Sequence, residues 1–240
     1  MEKGYTKQVL DKGFVRLIDL MGSDERIVEG ARISYKPPSK GPEQDKKLLN
    51  YLWKNKHSSP FELCKITFNI KMPIFVMRQY VRHRMQNLNE CSARYTELSD
   101  DFYIPQKWRK QDTKNKQGSI NDDSWNPSIS ALGQEADGQK DTSELFEEQC
   151  QENYKVYKSM TESGISREMA RMILPINIYT EVYSCWDLKN LLHFISLRDD
   201  SHAQYEIQEY AKVMKEISRE LFPWTLEAYD KFKWKVVEES

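Results

Sequence analysis

Between Arg78 and Arg94 the chain gathers the side chains best suited to holding and reading a polar, anionic ligand. The stretch runs Arg78-Gln79-Tyr80-Val81-Arg82-His83-Arg84-Met85-Gln86-Asn87-Leu88-Asn89-Glu90-Cys91-Ser92-Ala93-Arg94. Arg78 and Arg82 stand four residues apart and would share a helix face, whereas Arg82 and Arg84 share a side only in an extended chain. The guanidinium groups therefore need more than one anionic partner. Acids are sparse between residues 71 and 89, so an external phosphate held by bidentate arginine contacts fits the pattern. Asn87, Asn89, Glu90 and Ser92 add amide, carboxylate and hydroxyl groups, the mixture that reads a polar heterocycle rather than merely neutralising charge. The competing reading is a solvated basic helix end, or arginines paired with carboxylates on distant segments.

A second cluster occupies Asn190-Leu191-Leu192-His193-Phe194-Ile195-Ser196-Leu197-Arg198-Asp199-Asp200-Ser201-His202-Ala203-Gln204. His193 and Arg198 flank apolar residues, and Arg198 stands directly before two acids. Spacing alone explains Arg198 by a salt bridge to Asp199 or Asp200, and His202 by capping or packing. It makes neither of them catalytic.

The elements that must position these groups are legible from periodicity. Val9 to Leu20, broken by Asp11-Lys12-Gly13, predicts a hairpin-like pair of short strands. Ser23 caps a helix whose start is acidic, and Tyr35 to Pro42 is a loop by its prolines. Leu48, Leu49, Leu52 and Trp53 space a helix over 43–56, closed by His57-Ser58-Ser59-Pro60. Cys64, Ile66, Phe68 and Ile70 alternate with polar residues as a half-buried strand does, and Pro73 opens a helix striped by Ile74, Met77 and Val81. Further helices are expected over 143–163 and 167–174, with an extended segment over 177–185. Ala203, Ile207, Tyr210, Met214, Ile217 and Leu221 stripe a long helix capped by Asp199, Asp200 and Ser201 and stopped by Pro223. Residues 106–142 are polar and aperiodic and read as a surface insertion. Strands and helices mix without βαβ alternation, and neither GxGxxG nor GxxxxGK[ST] occurs, which predicts an α+β domain.

Composition narrows the function further. With 36 Lys+Arg against 37 Asp+Glu the net charge is -1, which offers no bulk attraction to nucleic acid or anionic membrane. No apolar run approaches the roughly 18 residues of a membrane span, and the first residues lack a secretion signal, so a cytoplasmic location is expected. Cys64, Cys91, Cys150 and Cys185 are scattered without a CxxC, and the four histidines form no HxxxH pair, so no metal site is expected.

The stretch Arg82-His83-Arg84, two open positions, Asn87, Leu88, Asn89-Glu90, Cys91, Ser92, Ala93, Arg94 resembles the signature RHRxxSxNExSxR of the flavin-dependent thymidylate synthases, with Asn87 in place of serine. The likeness extends through His57-Ser58-Ser59-Pro60-Phe61-Glu62, Arg171-Met172-Ile173-Leu174-Pro175 and Leu197-Arg198-Asp199-Asp200-Ser201-His202-Ala203-Gln204. It implies one α+β catalytic domain over 1–240, with a mixed or antiparallel sheet packed by helices and a polar insertion at about 106–142. It further implies a homotetramer that binds FAD at subunit interfaces. The implied reaction makes dTMP from dUMP, with 5,10-methylenetetrahydrofolate giving the carbon, NADPH the reducing equivalents, and no protein nucleophile.

Residue by residue, the resemblance implies FAD contacts from Ser59, Arg82, His83, Arg84 and Glu90, with His57 near the flavin ring and His193 as a flavin contact. Asp187-Leu188-Lys189 falls in another flavin-contacting stretch, where the family usually carries Asn and Arg at the ends. The dUMP site would be lined by Gln79, Tyr80, Val81 and Arg82, by Glu90, Cys91, Ser92, Ala93 and Arg94, and by Arg171 from another subunit. Arg198 is the implied catalytic residue, its charge stabilising an anion on uracil N3. Two other classes stay open at this level. Arg78, Arg82, Arg84 and Arg94 interleaved with Tyr80 and Tyr95 could grip single-stranded nucleic acid, or the chain could be a flavoprotein of different substrate range, such as a nucleotide-binding reductase.

Overall fold

Alternating burial builds the sheet. In the structure, a computed structural model that describes all residues except 34–38, 40, 126, 130–139 and 233–240, Ile66, Phe68, Ile70 and Met72 of strand β3 (Lys65–Pro73) all point into the core. This strand lies between β2 (Gly13–Met21) and β9 (Tyr179–Asp187), antiparallel to both. With β1 (Thr6–Val9) and β4 (Gln86–Glu90) they form a five-stranded antiparallel sheet in the order β1-β2-β3-β9-β4. The hairpin β1-β2 forms around Asp11-Lys12-Gly13 as the alternation predicts. Gly13 is required there, because a Cβ would stand 2.8 Å from the backbone oxygens of both Val9 and Lys71.

Helices cover this sheet. The acidic helix α1 (Asp24–Ala31) is capped by Ser23, whose side chain accepts from the Arg26 backbone N–H. Helix α2 (Pro42–Lys54) starts at the proline assigned to the preceding loop, most of which lies outside the described residues. Its end is not set by Pro60. Lys56 adopts φ 58°, and Lys56 and His57 donate back to the Trp53 and Leu52 carbonyls, a Schellman closure that a non-glycine residue hides in the sequence. Ser59 opens a short helix, α3 (Ser59–Glu62).

Helix α7 (Leu188–Arg198) and helix α8 (Tyr205–Leu221) pack against each other over the main core. Ile207, Tyr210, Met214 and Ile217 bury the predicted α8 stripe. The start of α8 is a correction. The helix begins at Tyr205 with Gln204 at the cap position, while Asp199 pairs with Lys215 and Asp200 with His202. Pro223 opens helix α9 (Pro223–Lys231), whose first free N–H groups donate to the buried carboxylate of Asp24.

Helix α5 (Thr142–Glu162) supplies Cys150 to a smaller core with Phe102 and Ile178. Residues 106–125 are less featureless than their composition suggests. Strands β5 (Lys110–Gln111) and β6 (Ser119–Ile120) pair, as do β7 (Ser128–Ile129) and β8 (Lys140–Asp141), and Arg109 docks the segment onto the buried Glu206.

Candidate active site

Helix α4 (Ile74–Tyr80) delivers the arginine-rich stretch to the surface. Its buried face is Val76, Met77 and Tyr80, and Val81 is exposed, which corrects the predicted stripe of Ile74, Met77 and Val81. The helix also ends too early for Arg78 and Arg82 to share its face. Val81, Arg82 and His83 form a tight turn in which their N–H groups return to Met77, Gln79 and Tyr80 carbonyls. Gln86 to Glu90 then forms the edge strand β4, with Asn87, Leu88, Asn89 and Glu90 exposed. A polar edge strand of this kind resists stray pairing while leaving its donors open to a partner or ligand.

The turn brings His83 onto Arg198, 115 residues away, at the last position of α7. Arg198 Nε donates to His83 Nε2 at 3.0 Å, so the neutral imidazole carries its own proton on Nδ1. Burial first, then the charges of Arg198 and His193, push the His83 pKa down to about 4. Burial also lowers the pKa of Arg198. The expected salt bridge to Asp199 or Asp200 does not form, and among the described residues no carboxylate lies within ion-pair distance of Arg198. Phe194 packs edge-on against the imidazole at 4.9 Å, with Trp186 behind it.

The remaining predicted residues separate into groups. Arg82 and Arg84 are exposed beside His83 and, like Arg78 and Arg171, form no ion pair among the described residues. Gln79 donates to Gln204, which joins the motif to the start of α8. Tyr80 is wholly buried, so its phenol cannot touch a ligand, and Ala93 is also buried. Glu90 accepts from the Thr180 hydroxyl at 2.8 Å, Cys91 donates its N–H to Glu181 O, and Ser92 Oγ accepts from the Arg94 N–H. Arg94 pairs with Glu168 in helix α6 (Arg167–Ala170), directly before the short 3-10 turn that carries an exposed Arg171. Asp187 caps α7 through the Asn190 N–H, Leu188 is core, and Lys189 donates to Asn190. His193 lies on the open side of α7, where partial burial and then Lys189 lower its pKa. His57 and Ser59 are exposed, with His57 edge-on to Tyr51.

Two cysteines are excluded as nucleophiles by their surroundings. Cys64 is buried and its thiol is pushed up to about 11, and burial raises Cys150 as well. Sequence reasoning missed Gln86, Ser184 and Trp186, which support the turn from beneath. A signal for Ser184 was present, since alternation in β9 puts it on the inward face with Val182 and Trp186, where a lone hydroxyl needs a partner. A cavity of about 400 Å³ opens elsewhere, between Phe75, Tyr103, Trp108, Phe146 and the Arg109–Glu206 pair, and contains none of the predicted site residues.

Fold and site together define an α+β protein in which a helix end, a sheet edge and an arginine with no acid partner among the described residues come together. Residues 16–224 match the family described as Thy1, thymidylate synthase complementing protein. The flavin-dependent thymidylate synthase of Thermosipho africanus is 46% identical over 228 residues, covering 95% of each chain. That of Thermus thermophilus is 44% identical over 230 residues, 96% of this chain and 80% of that one. The solved structure of the UMP/dUMP methylase PolB from Streptomyces cacaoi, bound with 5-Br UMP, aligns with a TM-score of 0.77 at 31% identity, covering 94% of this chain and 97% of that one. The chain belongs to the Thy1 family of flavin-dependent thymidylate synthases. Among the described residues, no helix is long and apolar enough to cross a membrane.

Proposed function

We propose that this chain converts dUMP to dTMP with Arg198 as its catalytic residue, using FAD, NADPH and 5,10-methylenetetrahydrofolate. The observation that carries this reading is the Arg198–His83 contact. A neutral acceptor takes one of the five guanidinium N–H groups and, among the described residues, no acid takes the rest, so the terminal nitrogens keep their donors and their charge for a ligand. Beside a uracil ring that charge stabilises the anion developing on N3 and O4, and so makes the ring a better hydride acceptor. Partial burial strengthens the interaction, because fewer waters compete for the guanidinium.

The chain's residues fit the cofactor. Arg82 and Arg84, exposed and without an ion pair among the described residues, would hold its phosphates, with Ser59, His57, His83, Glu90 and His193 as further contacts, and Asp187, Leu188 and Lys189 contributing from the start of α7. Bound FAD would supply hydride chemistry that no side chain here possesses. Gln79, Tyr80, Val81, Arg82 and the segment Glu90, Cys91, Ser92, Ala93, Arg94 would line the nucleotide site, Tyr80 and Ala93 through backbone groups because their side chains are buried. Supporting a homotetramer with shared sites, Met169, Met172 and Ile173 are exposed apolar residues on the segment that carries Arg171 and the Arg94 partner Glu168.

Absorbance titration with FAD, followed by dUMP, tests the reading. A stoichiometric complex whose spectrum dUMP perturbs, and which forms dTMP when NADPH and methylenetetrahydrofolate are added, is the expected result. NADPH oxidation without dTMP would refute it.

A further inference from the structure

We propose that Gln86 is a positioning residue for Arg198, set by a one-directional hydrogen-bond chain that begins at Trp186. Position 86 is one of those that the family-like pattern leaves open, so nothing in that pattern gives Gln86 a role. The indole N–H of Trp186 can only donate, and it donates to the Tyr80 hydroxyl at 2.7 Å. Ser184 spends its one proton on Gln86 Oε1 at 2.7 Å, so the Tyr80 phenol donates to Ser184 Oγ, also at 2.7 Å. This fixes the amide with its NH2 inward, donating to the carbonyls of His83 at 2.9 Å and Tyr80 at 3.3 Å.

Those two carbonyls lie where α4 runs out, beyond which the helix supplies no further N–H donors than the His83 N–H that Tyr80 already accepts. Gln86 therefore closes the turn that carries His83, and the imidazole meets Arg198 Nε because the turn is closed. The chain joins β9, β4, α4 and α7 at one point. Breaking it lets His83 swing and take up water, and Arg198 loses the acceptor that holds its plane. The groups facing His83 are Arg198 and His193, both on α7, and the uncharged rings of Trp186 and Phe194.

The test uses the whole enzyme labelled with 15N at its four histidines, with His83 assigned by comparison with His83→Gln, and solid-state spectra recorded from pH 4 to 8. In the parent protein, His83 should stay the neutral Nδ1–H tautomer throughout most of that range. Gln86→Met keeps the bulk and removes both ends of the amide. It should give mixed tautomers and a titration near the ordinary imidazole value of about 6.5. With dUMP, its kcat should fall roughly tenfold to a hundredfold while KM changes little. Ser184→Ala, which frees the amide to rotate, should move both readouts the same way by less, and carries the test if Gln86→Met does not fold. A folded variant with lowered stability but an unchanged His83 tautomer, titration and kcat would overturn the proposal. Its catalytic half rests on the reading of Arg198 above. Failure of that reading would appear as absent dTMP synthesis in the parent protein, whereas the nitrogen spectra decide the positioning on their own.

Discussion

Arg198 and Arg109 are both mostly withdrawn from solvent near the α7–α8 junction, yet their partners differ in kind. Arg109 Nη2 donates to both oxygens of Glu206, at 2.8 and 3.0 Å, and Nε donates to Ser119 Oγ. Glu206 is only 2% exposed and also accepts from Tyr103 and Gln204, so the charge of Arg109 is met within the fold. Arg198 has a neutral imidazole instead, and no acid among the described residues pairs with it. A guanidinium that meets a buried acid is part of the structure. One given an uncharged acceptor keeps its charge, as the proposed role of Arg198 requires.

The sharpest way to break this contrast is to remove each arginine. Arg109→Ala leaves Glu206 buried without its counter-charge and should cost about 3–5 kcal/mol in urea unfolding. Arg198→Ala strands no acid and should cost far less in the same measurement. Comparable losses would mean that Arg198 is structural too. The reverse asymmetry should appear in turnover. Arg198→Lys keeps the charge but not the planar fork, and kcat should fall roughly a hundredfold or more with the unfolding midpoint near that of the parent. Near-normal turnover would remove Arg198 from the chemistry.

The two regions were unequally legible. Cys64, Ile66, Phe68 and Ile70, and the stripe from Ile207 to Ile217, were readable because burial on one face writes its period directly into the sequence. The α4 stripe was misread because seven residues hold too few turns to fix a phase, and Tyr80, a polar-ended ring, proved to be core. Arg198 was singled out by resemblance, and its adjacent acids pointed to the wrong partner. Asp199 and Asp200 turn instead to Lys215 and His202, and the true partner lies on an element whose approach only the folded sheet determines. Arg109 was hidden for the opposite reason, since the polar, aperiodic stretch around it shows no sign of a buried acid waiting on α8.

The neutrality of His83 supports a third prediction, made with pH. Its pKa when folded, about 4, lies below the ordinary value of about 6.5. Between those values the unfolded chain binds more protons, so stability falls as pH falls through that window and the contribution is complete above it. Urea midpoints from pH 4 to 7 should therefore drop more steeply for the parent than for His83→Gln. Equal slopes would mean that His83 titrates normally and that Arg198 faces a partly cationic neighbour.

The smallest expected effect tests whether the docked segment around Arg109 serves only the structure. The Trp108 indole donates to Ser143 Oγ at 2.9 Å and its ring stands edge-on to Phe146 at 5.3 Å, which fastens the segment to the start of α5. Trp108→Phe keeps an aromatic ring for Phe146 and deletes only the N–H. The Ser143 hydroxyl is partly open to solvent, so water replaces the lost donor and the cost should be no more than about 1 kcal/mol. Turnover should not move, because among the described residues the hydrogen bonds from the segment reach Gln79 through Glu206 and Gln204. If kcat fell by more than the stability change explains, that thread from Arg109 through Glu206 and Gln204 to Gln79 would be carrying strain into the nucleotide surface. The line between a structural and a functional arginine would then have to be redrawn along it.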